Sequence, residues 1–257
     1  MPLPGLTFLG HATMLIEVGG LRVLTDPILV DRLTFLTRVV RPLDPTLYAG
    51  IDLVLVSHLH LDHLDRVSLA RLEVPQPELV VGPGAGPLVR SWGWRRVTEL
   101  APGESHRVGD VLVTAVPALH PGSRPPFGPR GTAVGYLLES GPARLYFAGD
   151  TDLFPEMATM IPGELDVALL PIGGWGPRLG SGHLDPVRAA EAAARLQPRF
   201  AVPIHWGTLW PYGLKTVSAG RLAGPPAEFE RRLLERVGPE GARPLIARPG
   251  ERVPFVP

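Results

Sequence analysis

The sequence predicts a layered fold of the α/β or α+β kind. Strands come in two blocks, each followed by helix, with no repeat period and no Gly/Ser-rich linker between them. The first block opens as a meander: Leu6–Leu9, Thr13–Val18 and Leu21–Thr25 are short β-prone runs. Gly19-Gly20 suits a two-residue hairpin turn, since glycine accepts positive φ without a steric penalty. Asp52–Val56 and Leu79–Val81 continue this block, and Val111–Val116, Thr132–Leu138, Ala143–Ala148, Asp166–Leu170 and Phe200–Ile204 form the second. The clearest helix starts at Asp185 as N-cap with Pro186 at the first helical position, runs through alanines to Gln197 and stops at Pro198. A second helix spans about Ala227 to Val237, with Phe229, Leu233, Leu234 and Val237 near helical spacing. The connection Ile28 to Tyr48 is rich in apolar residues and is expected to be a helical lid beside a pocket, a subunit contact, or a helix that covers the strands. One domain over residues 1–257 is expected.

Composition narrows the function classes. The chain has 257 residues, with 25 basic and 25 acidic side chains, so no global charge favours nucleic acid. Apolar runs such as Leu53–Val56 fall far short of the ~20 residues a membrane span needs. Met1–Gly5 has no basic or apolar signal region, and the expected location is cytoplasmic. The absence of cysteine excludes disulfides and thiolate metal ligands. A small-molecule substrate is the expected partner, with self-association left open.

The run His58-Leu59-His60-Leu61-Asp62-His63 follows a strand that reads as buried. Four ligand-type side chains within six residues would be penalised in a core unless something satisfied them, and a divalent metal does so. Alternate residues of an extended chain point the same way, so His58 and His60 can converge on one ion; the bend that follows can aim Asp62 and His63 at a second. The bland alternative is a polar turn before a helix, with Asp62 or Asp65 as its N-cap. His120, Asp150 and His205 weigh against it, because each follows an apolar strand, and strand ends gather on one sheet edge. His106, in a charged context, reads as a surface residue.

With Gly149-Asp150-Thr151 and Ile204-His205-Trp206-Gly207-Thr208, this set resembles the metallo-β-lactamase-fold hydrolases. Gly10-His11-Ala12, Thr25-Asp26-Pro27, Leu170–Gly174 and His183-Leu184-Asp185-Pro186 resemble the branch that holds N-acylphosphatidylethanolamine phospholipase D and L-ascorbate-6-phosphate lactonase. The resemblance implies an α+β, four-layer αββα sandwich of two mixed β-sheets flanked by helices. It implies that His58, His60 and His120 bind one divalent ion, that Asp62, His63 and His205 bind another, and that Asp150 bridges them. The metals are two divalent ions, zinc first, with manganese or iron as alternatives on ligand softness. The implied activity is hydrolysis of a phosphodiester or a lactone-type ester by a hydroxide that the two ions share. The alternatives are a non-hydrolytic metal oxidoreductase of the same fold and a metal-binding protein without catalysis.

Further roles follow from the same resemblance. Asp62 would help orient the attacking water. Asp26 would brace the ligand loop from behind. His183 and His11 would contact substrate or donate a proton, the alternative for each being a structural histidine with satisfied nitrogens. From position alone, Arg124 and Arg178, after His120 and the Pro171–Gly174 loop, are candidate substrate contacts by bidentate pairing with phosphate or carboxylate, the alternative being solvated surface, and Trp206 is a candidate wall of a substrate groove, the alternative being simple packing.

Overall fold

The computed structural model describes residues 4–72, 75–124, 128–175, 179–213 and 222–254. Two mixed seven-stranded sheets face each other. In spatial order, the first contains Glu251–Arg252, Gly5–Gly10, Thr13–Val18, Leu21–Thr25, Leu53–Val56, Glu78–Val81 and Val97–Glu99. The second contains Arg243–Pro244, Phe200–Ile204, Val167–Pro171, Ala143–Phe147, Val134–Ser140, Val111–Pro117 and Ser105–Val108.

The alternation of side chains along each strand makes the layers. Leu53 and Leu55 join Phe8, Ile16, Val113, Tyr136 and Phe147 in the core between the sheets. Val54 and Val56 point the other way and pack with Leu69 and Val89, from the short helices Arg66–Ala70 and Gly86–Ser91. Against the second sheet, the alanine face of helix Pro186–Leu196 and Phe229 and Leu233 of helix Pro225–Val237 are fully buried. The result is the αββα sandwich.

The long helix starts and stops as its sequence dictates. The Asp185 side chain accepts from the Arg188 amide at 2.8 Å, Pro186 opens the first turn, and Gln197 turns left-handed at the end. Gly19 and Gly20 both have positive φ, as a two-residue hairpin demands.

Residues 28–48 differ from expectation. They form no α-helix; Arg32–Leu33 and Leu36–Arg38 make a hairpin that pairs with Leu209–Pro211 in a third small sheet, and a 3-10 turn follows at Pro45–Tyr48. Ile28, Val30, Leu33, Leu36 and Leu209 bury themselves there as a separate cluster. Prolines at 27, 42 and 45 leave little room for a long helix in this segment.

Strand direction gathers the site. Strands Gly5–Gly10, Leu21–Thr25 and Leu53–Val56 share one direction, so His11, Asp26 and the His58–His63 run emerge at one edge of the first sheet. Strands Val111–Pro117, Ala143–Phe147, Val167–Pro171 and Phe200–Ile204 likewise share a direction and deliver His120, Asp150, Gly173 and His205. Backbone bonds tie the sheets together here, among them Val134 N–H to Ser57 C=O and Leu59 N–H to Gly122 C=O.

Candidate metal centre

The expected donors converge from both sheets. His58, His60 and His120 offer ligand atoms within 4.8 Å of one another, and so do His11, Asp62, His63 and His205. Asp150 lies between the two groups. Its Oδ2 is 3.2 Å from His63 Nε2 and 4.0 Å from His120 Nε2, while its Oδ1 is 3.4 Å from His205 Nε2.

Backbone and side-chain acceptors fix how each ring presents itself. His120 Nδ1–H donates to Gly182 C=O at 2.7 Å, and His205 Nδ1–H donates to Gly173 C=O at 2.8 Å. His63 Nδ1–H donates to Asp26 Oδ2 at 2.6 Å. Ser57 Oγ donates to the same carboxylate at 2.6 Å and stands 2.9 Å from His58 Nδ1. These bonds turn the Nε2 lone pairs of four rings inward. Asp26 thus holds His63 directly and reaches His58 through Ser57, one ring in each group.

The arrangement fits divalent metal. His63 Nε2 and His205 Nε2 face each other at 3.0 Å although both Nδ1 atoms are committed as donors, so lone pairs meet unless a proton or a metal ion lies between them. His60 Nδ1 and His120 Nε2 face each other at 3.1 Å. His58 Nε2 and Asp150 Oδ1 are buried without a hydrogen-bond partner. Unpaired buried polar atoms cost about 1–3 kcal/mol each, and coordination would offset that.

Electrostatics agree with the geometry. Burial and neighbouring imidazoles hold His58 and His60 below the usual histidine range, and burial lowers His120 to about 4, leaving their lone pairs free. Burial would lift the Asp150 carboxyl, but His205 and His63 and the bonds from His183 and His63 hold it well down and charged. Burial would likewise depress His63, and the carboxylates of Asp150, Asp62 and Asp26 more than reverse that.

Backbone strain also concentrates here. Among the described residues, five non-glycine positions have positive φ, and His11, Asp26 and His205 are three of them. His205 N–H donates to His11 C=O at 2.7 Å, and Thr208 Oγ accepts from His11 N–H at 2.8 Å, so the two turns hold each other.

The remaining candidates fall into distinct places. His11 is 1% exposed, and its Nε2 lies 3.0 Å from Asp62 Oδ2. Enclosed in this way it touches Asp62 rather than the open side of the site, and burial and the nearby His205 hold it neutral, lowered to about 3. The His183 side chain keeps 21% exposure and places Nε2 3.3 Å from Asp150 Oδ2. Arg124 donates to Leu64 C=O at 2.6 Å and lies over the Trp92 ring, which directs it to the scaffold behind His63. Trp206 is buried, spends its indole N–H on Pro203 C=O and packs on Phe8. One face of it lines an apolar groove with Leu9, Val39, Leu43 and Pro226, which holds none of the candidate donors. Arg178 lies outside the described residues. His106 is half-buried on a strand against Glu78.

Leu170–Gly174 and His183 stand in motifs that the sequence singles out, but the backbone role of the glycines beside them is not announced there. The carbonyls at Gly173, Gly180 and Gly182 accept from the Nδ1 atoms of His205, His183 and His120. The glycines themselves are the signal. At Gly182, φ is +82° and a Cβ would come within 3.0 Å of His120 Nδ1.

The comparisons with known proteins agree with the fold. Residues 21–206 match the family described as the beta-lactamase superfamily domain. A UPF0173 metal-dependent hydrolase of Aeropyrum pernix is 31% identical over 97% of this chain and 97% of its own length. N-acyl-phosphatidylethanolamine-hydrolyzing phospholipase D 1 of Caenorhabditis elegans is also 31% identical, covering 80% of this chain, which spans 64% of that protein. The solved structure of Igni18, a metallo hydrolase from Ignicoccus hospitalis, covers 98% of both chains with a TM-score of 0.73 at 24% identity. Among the described residues, no helix is long and apolar enough to cross a membrane. With its sandwich fold and its two groups of histidine and aspartate donors, this chain belongs to the beta-lactamase superfamily of metal-dependent hydrolases.

Proposed function

We propose that the protein is a dinuclear hydrolase that cleaves a phosphodiester or a lactone-type ester. The position of Asp150 supports this reading most directly, with one oxygen or the other within 4.0 Å of His63, His120 and His205. His58, His60 and His120 would hold one ion, Asp62, His63 and His205 the other, and Asp150 both. Zinc is the first choice, since imidazole and carboxylate donors suit it, with manganese and iron as alternatives. When bound, two such ions polarise the oxygen of the scissile group and acidify water at neutral pH.

The chain's own residues prepare that chemistry. Asp26, Ser57 and the carbonyls of Gly173 and Gly182 lock ring orientation, so little reorganisation is left for the reaction. Asp62, held by His11 at 3.0 Å, orients the attacking water. His183 is raised above the usual histidine range: burial opposes protonation, but its bond to Asp150 and the carboxylate charge prevail. Being partly open to solvent, its Nε2 is the group placed to give a proton to a leaving oxygen. His11, enclosed, positions Asp62 and does not contact substrate.

The phospholipase D name of the nematode relative puts the phosphodiester ahead of the lactone. The test is turnover of bis-p-nitrophenyl phosphate by zinc-loaded and manganese-loaded protein, with Asp150→Ala alongside. Turnover that disappears in the variant supports the phosphodiesterase reading. No turnover by protein carrying two ions moves the substrate to lactones and carboxyl esters, and failure on all three classes sinks the hydrolytic reading.

A further inference from the structure

We propose that the substrate carries an apolar group, an acyl chain or aryl ring, which seats on an aromatic wall beside His205; the inference rests on the hydrolase reading above. The wall is built outward from the metal centre by successive contacts. Gly173 C=O accepts from His205 Nδ1, and a Cβ on Gly174 would come within 3.6 Å of the His205 ring, so this backbone runs directly against the imidazole. Trp175 is the next residue. It packs on the small cluster of Ile28, Val30, Leu33, Leu36 and Leu209. Its ring meets Phe35 edge-on at 5.1 Å between centroids. Phe35 C=O accepts from Tyr212 N–H at 3.0 Å, and the Arg32 guanidinium lies 5.1 Å from the Tyr212 ring centroid.

Phe35 and Tyr212 remain 54% and 70% exposed, at a hairpin tip and at the end of the strand it pairs with. Single exposed hydrophobics are ordinary. Here, however, the two come from segments far apart in sequence: Phe35 meets the Trp175 ring and its carbonyl bonds the Tyr212 amide, and Trp175 lies two residues after the Gly173 carbonyl that orients His205. Leu119, 52% exposed, immediately precedes His120 on another strand end. A polar centre flanked by exposed aromatic side chains suits a substrate with one hydrolysable polar link and an apolar substituent, because burying that substituent yields binding energy the centre itself does not supply. Neither Phe35 nor Tyr212 belongs to the donor groups, so binding on the wall can be separated from the chemistry.

The test is calorimetric binding of methylphosphonate, hexylphosphonate and phenylphosphonate to zinc-loaded protein. The three share a head group, and the last two distinguish an acyl-like from an aryl occupant. At least one of them is expected to bind about tenfold tighter than methylphosphonate, the gain from burying roughly two methylene equivalents. In Phe35→Ser/Tyr212→Ser that advantage should shrink to about threefold or less, with methylphosphonate affinity unchanged. Equal affinity for all three ligands, or an advantage that survives the double substitution, would overturn the apolar subsite and leave the hydrolytic reading intact. If none of the three ligands binds, the subsite proposal falls, while the hydrolytic reading stands or falls on the turnover test above.

Discussion

Asp26 and His63 form a completely buried pair, with Asp26 Oδ2 accepting the Nδ1 proton of His63 at 2.6 Å. The same carboxylate accepts from Ser57 N–H at 2.7 Å and Ser57 Oγ at 2.6 Å, and Ser57 Oγ in turn lies 2.9 Å from His58 Nδ1. A residue that touches none of the open face thus orients one imidazole in each donor group. Asp26→Ala would leave a ring N–H and a backbone N–H buried and unpaired. We expect a loss of about 3–5 kcal/mol in denaturant titration, and metal affinity weaker by about 10–100-fold. Unchanged metal affinity in a folded variant would contradict the bracing role.

His11 is predicted to matter through Asp62. Its φ of 57° is tolerated by asparagine, so His11→Asn keeps the backbone while shortening the reach to Asp62 Oδ2. The variant should fold and lose affinity for one of two ions by about tenfold or more. Titration with cobalt, followed by its visible spectrum, would report this. A variant that retains both affinities would return His11 to a purely structural role.

Gly182 sets the His120 ring. With φ at +82° and His120 Nδ1 3.0 Å from a would-be Cβ, Gly182→Ala both strains the backbone and displaces the carbonyl that His120 uses. A destabilisation of about 1–3 kcal/mol is expected, together with weakened metal binding. Thermal melts with and without zinc would separate the two effects.

Two buried phenols supply a pH prediction. Burial pushes Tyr136 and Tyr146 above the usual tyrosine range, Tyr136 also being near Asp26; its hydroxyl donates to Val56 C=O at 2.8 Å. Folding therefore favours the neutral phenols. Their contribution is intact below about pH 10, the unfolded value, and is lost as pH rises beyond it. In an ultraviolet titration these two should ionise only as the protein unfolds. Ionisation near pH 10 without loss of structure would contradict the prediction.

Much of this was legible in the sequence because the signals are periodic or chemical. Thr13–Val18, Leu21–Thr25 and Phe200–Ile204 fall where their β-prone runs begin and end, and Asp185-Pro186 opens its helix. The seven expected donors meet because each follows a strand of matching direction. What was hidden depends on tertiary contact. The apolar content of residues 28–48 suggested a helix, yet the segment pairs with Leu209–Pro211, a partner some 170 residues away that no local pattern announces. Arg124 looked like an anion contact, and only the fold shows its guanidinium on Leu64 C=O. Trp206 follows a donor directly, but its indole N–H turns back to Pro203. The carbonyls of Gly173 and Gly182 carry no side-chain signature at all.

Asp150 is proposed to be shared between two metal ions. Metal content of the purified, zinc-reconstituted protein, measured by mass spectrometry beside Asp150→Ala, tests it most directly. Two ions per chain in the natural protein and one or none in the variant is the predicted result. A single ion per chain in the natural protein, or two ions retained without Asp150, would contradict it.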